Sequence, residues 1–247
     1  MQDYLVFQLY APLAAWGEQA VGQERPSADH PSRSALLGLL AAALGIDRQD
    51  NMSQQQLSKS VKFGVKLLTP GLLLRDFHTI QMPPENKKAR HRKTRRDELQ
   101  EDKLGTLLSF RSYLQNSVAI VAIWLEQVQH YDLPKLQQAL ERPHYHLYLG
   151  RKSCPPAVPM NPELIPASDL KLALDHYCIG DELHNLLTDK HDLCYYWEAS
   201  SSSSTGMENE YTYIVPRYDQ PLNRTRWQFV RREEYVYLIG GEDALSQ

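Results

Sequence analysis

Seven lysines and arginines (Lys87, Lys88, Arg90, Arg92, Lys93, Arg95 and Arg96) crowd ten positions, joined by His91 and interrupted by no acid. These side chains share one chemistry, the charge-assisted hydrogen bond to an anionic oxygen, and a run this dense suits a polyphosphate. Pro83 and Pro84 precede it, Gly105 follows it and apolar stretches flank both ends. It therefore reads as a long excursion from a folded core, a kind of loop that is usually functional or disordered. Smaller groups repeat the chemistry. In Arg75-Asp76-Phe77-His78-Thr79 the strand period puts Arg75, Phe77 and Thr79 on one face and Asp76 and His78 on the other. Gly150-Arg151-Lys152-Ser153 offers backbone N–H groups, two cations and a hydroxyl in one turn, a phosphate-friendly set. Arg33 and Ser34 fall in the first turn of an expected helix, where backbone donors and the dipole attract an anion. An arginine there opposes the dipole, so a phosphate would relieve a conflict as well as gain contacts. Each group also fits a plain solvated edge strand, turn or helix start.

Other chemistries find less support. Among nine histidines the nearest clusters are His144-Tyr145-His146 and His184 with His191; two histidines at i, i+2 with no acidic partner at ligand spacing are weak evidence, and no metal is assigned. Walker A, HExxH and GxSxG patterns are absent. Metal-free RNA cleavage needs a general base, a general acid and a cation to stabilise the phosphorane; such residues exist, but no spacing brings them together. No catalytic residue and no cofactor is assigned. Cys154, Cys178 and Cys194 stand 24 and 16 residues apart, which fits neither a disulfide framework nor paired zinc ligands.

The formal charge of −3 over 247 residues hides a division. Residues 75–111 carry ten cations against six acids, a net +4, and the remainder carries 17 against 24, a net −7. A basic island on an acidic body is the footprint of local nucleic-acid contact. Apolar content of 42% and charged content of 23% are globular values. The longest uncharged stretches, residues 4–17 and 112–125, run 14 residues each, short of the roughly 18 to 20 that span a bilayer. No membrane partner is expected. With Asp3 where a signal peptide would carry positive charge, a cytoplasmic location is expected.

Elements that would position these groups follow from patterning. Residues 4–9 (YLVFQL) are a first strand, and residues 32–44 (SRSALLGLLAAAL) a helix with serine at its start and Gly45 past its end. Residues 54–60 make a short second helix. Residues 61–68 and 72–80 read as the two strands of a hairpin about Pro70-Gly71. Residues 118–125 (VAIVAIWL) are a central strand buried on both faces, and Asp132-Leu133-Pro134 starts a further helix. The order approximates a ferredoxin-like unit, an α+β fold related to RNA recognition motifs but without their aromatic and glycine signature. Five prolines between Pro155 and Pro166 mark an extended linker, residues 200–204 a serine loop, and residues 211–215, 227–230 and 235–239 short strands. The expected organisation is a domain over residues 1–150, with a basic insertion at about 80–105, and a smaller β-rich part over 151–247.

These residues carry a resemblance. YLVFQLYAPLAAWG at the N-terminus, HPSRSALLGLLAAALGI, RDFHT, FRSYL, VAIVAIWL and above all YLGRKSCP at residues 148–155 resemble, in order and over nearly the whole chain, the Cas-five family of RAMP proteins in type I-E CRISPR interference (Cascade) complexes. The resemblance implies a ferredoxin-like RAMP domain with a protruding thumb at the basic insertion. It also implies a non-catalytic role in antiviral defence, in which one copy holds the 5′ handle of the CRISPR RNA and caps the backbone filament. The partners implied are that RNA, backbone CasC-type and large CasA-type subunits, and target DNA indirectly through the complex. The candidate RNA-binding set is Trp16, Arg25, Arg33, Ser34, Arg75, His78, Arg111, Arg151, Lys152 and Ser153 together with the seven cations of the insertion. Type I-C relatives are metal-independent endoribonucleases that use a tyrosine just after the first helix. Gly45-Ile46-Asp47 stands there in this chain, and CRISPR RNA processing is the alternative activity.

Overall fold

The computed structural model describes residues 1–83, 94–100, 103–126, 130–184, 187, 193–199, 204–207, 211–223, 226 and 228–239. Strand β1 (Gln2–Tyr10) leads into four two-residue strands, β2 (Leu13–Ala14), β3 (Trp16–Gly17), β4 (Glu24–Arg25) and β5 (Ser27–Ala28). Helix α1 (Arg33–Leu44) begins where the Ser32 hydroxyl accepts from the Ala35 N–H at 3.3 Å. It ends where Gly45, at φ 74°, turns its own N–H back to the Ala41 and Ala42 carbonyls, a left-handed conformation that favours glycine. Helix α2 (Asn51–Ser60), capped by Asp50, runs directly into β6 (Val61–Thr69). Then come β7 (Leu72–Met82), the short α3 (Arg95–Glu98), β8 (Gly105–Gln115), β9 (Val118–Leu125) and α4 (Leu133–Glu141), with Asp132 as the α4 cap and proline in its first turn. The chain finishes with β10 (Glu163–Ala167), α5 (Leu170–His176), α6 (Asp181–His184), β11 (Leu193–Glu198), β12 (Thr212–Asn223) and β13 (Gln228–Ile239).

Seven strands form one antiparallel sheet in the order β10-β1-β9-β6-β11-β13-β12. β9 sits between β1 and β6, and its side chains divide between two cores. Ala119, Val121 and Ile123 join Leu36, Leu37 and Leu40 of α1 and Leu136 and Leu140 of α4 on one face. Ile120, Ala122 and Trp124 join Leu170, Ala173 and Leu174 of α5 on the other. A continuous apolar run is what a strand covered on both faces requires. Strands from beyond residue 150 extend this same sheet at both ends. The C-terminal strands are longer than the short pieces read from patterning, 12 residues each for β12 and β13.

One expected pairing is corrected. β6 and β7 are not a hairpin: β6 lies between β9 and β11, while β7 pairs along its full length with β8 in a separate sheet that β2 and β4 also join. Both edges of β6 are filled by strands with apolar side chains on both faces, whereas most of β7 is exposed. Gly71 makes the departure possible. At φ 74° it packs its backbone so close to β8 that a Cβ would lie 2.3 Å from the Gln115 carbonyl oxygen. Of the serine run, only Ser204 lies among the described residues.

No helix among the described residues is long and apolar enough to cross a membrane.

Candidate nucleic-acid interface

The β7–β8 ladder gathers much of the candidate set. Parallel pairing sets Arg25 of β4 opposite Arg111 of β8, and antiparallel pairing sets Asp76 of β7 on the other side of Arg111. Paired positions share a face, so Arg25, Arg111, Asp76 and, one step along, His78 line one side of this small sheet. The His78 Nε2 lies against the Asp76 carboxylate.

Arg151 joins them from the YLGRKSCP turn. Its guanidinium donates to the Ser112 carbonyl at 3.0 Å and to the Arg25 carbonyl at 3.1 Å and stacks 4.6 Å above the Tyr113 ring. None of these partners carries a negative charge, so the arginine is held in place with its charge uncancelled. The turn is tied by bonds from the Leu149 N–H to the Cys154 carbonyl and from the Ala15 N–H to the Leu149 carbonyl. Gly150 is required within it: its φ is 85°, and a Cβ would lie 1.7 Å from the Ala15 carbonyl oxygen. Lys152 and Ser153 are exposed at its tip.

Other candidates separate from this group. Arg75 lies on the opposite face of the ladder, bound to Glu24 at 2.6 Å and stacked 4.4 Å over Phe110. Arg95 pairs with Glu98 at 2.6 Å and reaches the Gln81 carbonyl, folding α3 back on the end of β7. Arg96 is exposed on the same short helix. Lys87, Lys88, Arg90, Arg92 and Lys93 lie outside the described residues.

Two assignments are corrected by burial. Arg33 is 4% exposed; its guanidinium is ion-paired with Glu198 and donates to the Ser58 carbonyl at 2.6 Å. The anion expected at this helix start is supplied from within, because the Asp219 carboxylate accepts the Arg33 backbone N–H at 2.7 Å. Trp16 is 3% exposed in the core, so its ring offers no surface to a base.

Ser34, half-buried, lines two cavities of about 620 and 370 Å³ that meet along α1. The larger is walled by Arg217, Tyr218 and Asp219 of β12, and Phe229 of β13 borders both. These C-terminal residues escaped sequence reasoning. Arg217-Tyr218-Asp219 has the right residue types, but only the fold carries it to α1.

Both faces of the ladder also expose apolar side chains: Leu73 (67%) and Phe77 (54%) on one, Leu72 (73%) and Leu107 (52%) on the other. Singly exposed apolar residues are ordinary, but a row along two paired strands marks a contact surface.

The chain is 33% identical to the CRISPR system Cascade subunit CasD of Escherichia coli strain K12, over 98% of this chain and 99% of that protein. A chain of a CRISPR RNA-guided surveillance complex superimposes with a TM-score of 0.65 at 24% identity, covering 96% of this chain and 90% of its own. A crystal structure of a Cas protein does so with a TM-score of 0.61 at 26% identity, covering 97% and 96%. Residues 4–234 match the family model described as CRISPR-associated protein (Cas_Cas5), and the chain belongs to that family.

Proposed function

We propose that this protein is a non-catalytic subunit of a type I-E Cascade complex that anchors the 5′ handle of the CRISPR RNA and caps the backbone filament. The observation that carries the reading is the similarity to a Cascade subunit over nearly the whole of both chains. Supporting it, Arg25, Arg111 and Arg151 converge on the ladder with Lys152 and Ser153 beside them. Cations held this way track an RNA backbone, fixing its position without reading bases.

The partners of the proposed subunit are the CRISPR RNA, CasC-type and CasA-type subunits and, through the complex, target DNA. The order β10-β1-β9-β6 with α1 and α4 as its two crossover helices supports a ferredoxin-like core, which we take to close with β10. β7 and β8 would then be the base of the thumb and residues 80–105 its outer part. β11, β12 and β13 are the C-terminal part, extending the core sheet. The exposed apolar rows of the ladder suit a neighbouring protein subunit.

The test titrates the full chain with handle RNA and with scrambled RNA of equal length at several salt concentrations. Charge reversal at Arg25, Arg111 and Lys152, or across residues 87–96, is expected to weaken handle binding and flatten its salt dependence. Equal affinity for both RNAs, with no assembly alongside backbone subunits, would replace the reading with a general RNA-binding module. Specific cleavage of repeat RNA in EDTA, abolished by a single histidine substitution, would replace it with processing.

A further inference from the structure

The start of α1 is tied to three strands of the C-terminal part. The Arg33 guanidinium binds Glu198 of β11, and the Arg33 N–H binds Asp219 of β12. The third tie is His30, two residues before the Ser32 cap and 2% exposed. Its Nδ1 lies 2.5 Å from Asp29 Oδ1 and its Nε2 lies 2.9 Å from Glu234 Oε2 on β13. The ring is stacked on Tyr196 of β11, with centroids 3.6 Å apart and planes 11° apart, and the Tyr196 hydroxyl donates to Asp29.

A neutral imidazole has one N–H and one lone pair. Placed between two carboxylates, it would point that lone pair at an anion. Only the imidazolium donates to both.

We propose that His30 is a protonated clasp that fastens the β12–β13 hairpin to the start of α1, so that the attachment loosens as the solution is made alkaline. The groups facing it make the proton count. On β13 stand Glu234 and Arg232, and on β12 Arg217 and Asp219, with Arg217 Nε 3.6 Å from the Glu234 oxygen that His30 holds. Arg232 bridges Asp219 and Glu234 at 2.6 Å each. On β11, Glu198 is paired with Arg33, and Tyr196 and Cys194 border the site. With the proton on His30, three cations (His30, Arg217, Arg232) meet three anions (Asp29, Asp219, Glu234); without it this cluster, buried except for the exposed Asp29, is left one negative charge in excess.

The ionisation of the partners agrees. Burial acts to lower the His30 value, yet the Asp29 and Glu234 hydrogen bonds outweigh it and raise it above the ordinary 6.5. Glu234, which burial acts to raise, is held down to about 2 by His30, Arg232 and Arg217. A group raised on folding stabilises fully below its unfolded value and loses that contribution as pH climbs through its folded value. The window therefore opens above about pH 6.5. The other two ties are a guanidinium–carboxylate pair and a backbone N–H held by a carboxylate, and neither involves an imidazole.

Imidazole nitrogen NMR on the full chain tests the first half of the proposal. His30 is expected to hold a proton on both nitrogens at pH 6.5, where a free imidazole is half deprotonated, and a single protonated nitrogen there would overturn it. Amide hydrogen exchange, corrected for its intrinsic pH dependence, tests the second. Exchange in β12, β13 and residues 29–36 is expected to quicken by about tenfold between pH 7 and 9 in the wild type. His30→Gln is expected to be fast at both pH values, and exchange equally slow in wild type and variant would refute the clasp. Should the variant fail to fold, the wild-type spectra and exchange profile still decide. None of these measurements depends on RNA, so this inference and the handle-binding reading can fail separately.

Discussion

Two arginine clusters of similar make-up face opposite fates in this molecule. Arg33, Arg217 and Arg232 are enclosed between α1 and the C-terminal strands and meet Glu198, Glu234 and Asp219. Arg25 and Arg151 at the ladder meet carbonyl oxygens and an aromatic ring instead. Both arrangements hold their guanidinium groups against oxygen acceptors. Only the second leaves positive charge for an outside anion, so an arginine's partners say more about its role than its position on a helix or strand.

Substitutions that break one cluster and spare the other sharpen this contrast. The largest expected effect is from Arg33→Met, which leaves the buried Glu198 with Lys62, 3.8 Å away, as its remaining counter-charge. Removing one partner of a buried pair costs about 3–5 kcal/mol, to be read from urea denaturation, with RNA affinity of the folded fraction unchanged. Arg111→Ala is expected to do the reverse. Its denaturation midpoint should stay near wild type, while the slope of log affinity against log salt for single-stranded RNA falls by about 0.7; an unchanged slope would remove Arg111 from the interface.

Acid separates the clusters in a third way. Asp29, which burial acts to raise, is held at about 2 by its His30 hydrogen bond and charge and by Tyr196, and Glu234 is also at about 2. Both values lie below the ordinary 3.8 and 4.5, so the stabilisation is present above about pH 4.5 and is lost as pH falls toward 2. Glu234→Gln should flatten an acid unfolding profile that Arg111→Ala leaves alone. The smallest effect belongs to Arg75→Ala. Its bond to Glu24 is 2.6 Å long, but the two side chains are 58% and 55% exposed, and an exposed pair contributes about 0–1 kcal/mol. A larger loss of thermal stability would show that the outer face of the ladder is structural.

How far the sequence spoke depended on the distance over which a residue finds its partner. α1 was legible because Ser32 and Gly45 act on their own neighbours, α4 because Asp132 caps the turn that follows it, and β9 because its apolar run needs no partner to be recognised. The Arg151 turn was legible for a similar reason, a glycine and two cations in four residues. Arg33 was misjudged because what cancels its charge lies 165 residues away at Glu198, and the carboxylate that takes its backbone N–H lies 186 residues away at Asp219. The pairing of β7 with β8 passes over the residues between Met82 and Gly105, and nothing in β7 itself chooses β8 over β6. His30 drew no notice, since a lone histidine becomes remarkable only when two distant strands deliver Tyr196 and Glu234 to it.

The strand order also sets a timetable for the chain as it leaves the ribosome. β1, β6 and β9 are all complete by Leu125, but β10, which covers the free edge of β1, begins at Glu163 and β11, which covers β6, at Leu193. At roughly 5 to 20 residues per second, those two edges stay open for about 2 to 8 s and about 3 to 14 s. An uncovered edge beside apolar side chains invites pairing with a neighbouring chain. Slowing translation after residue 125 would lengthen that interval, so the yield of soluble subunit from a cell should depend on codon choice between β9 and β11 more than anywhere else in the gene.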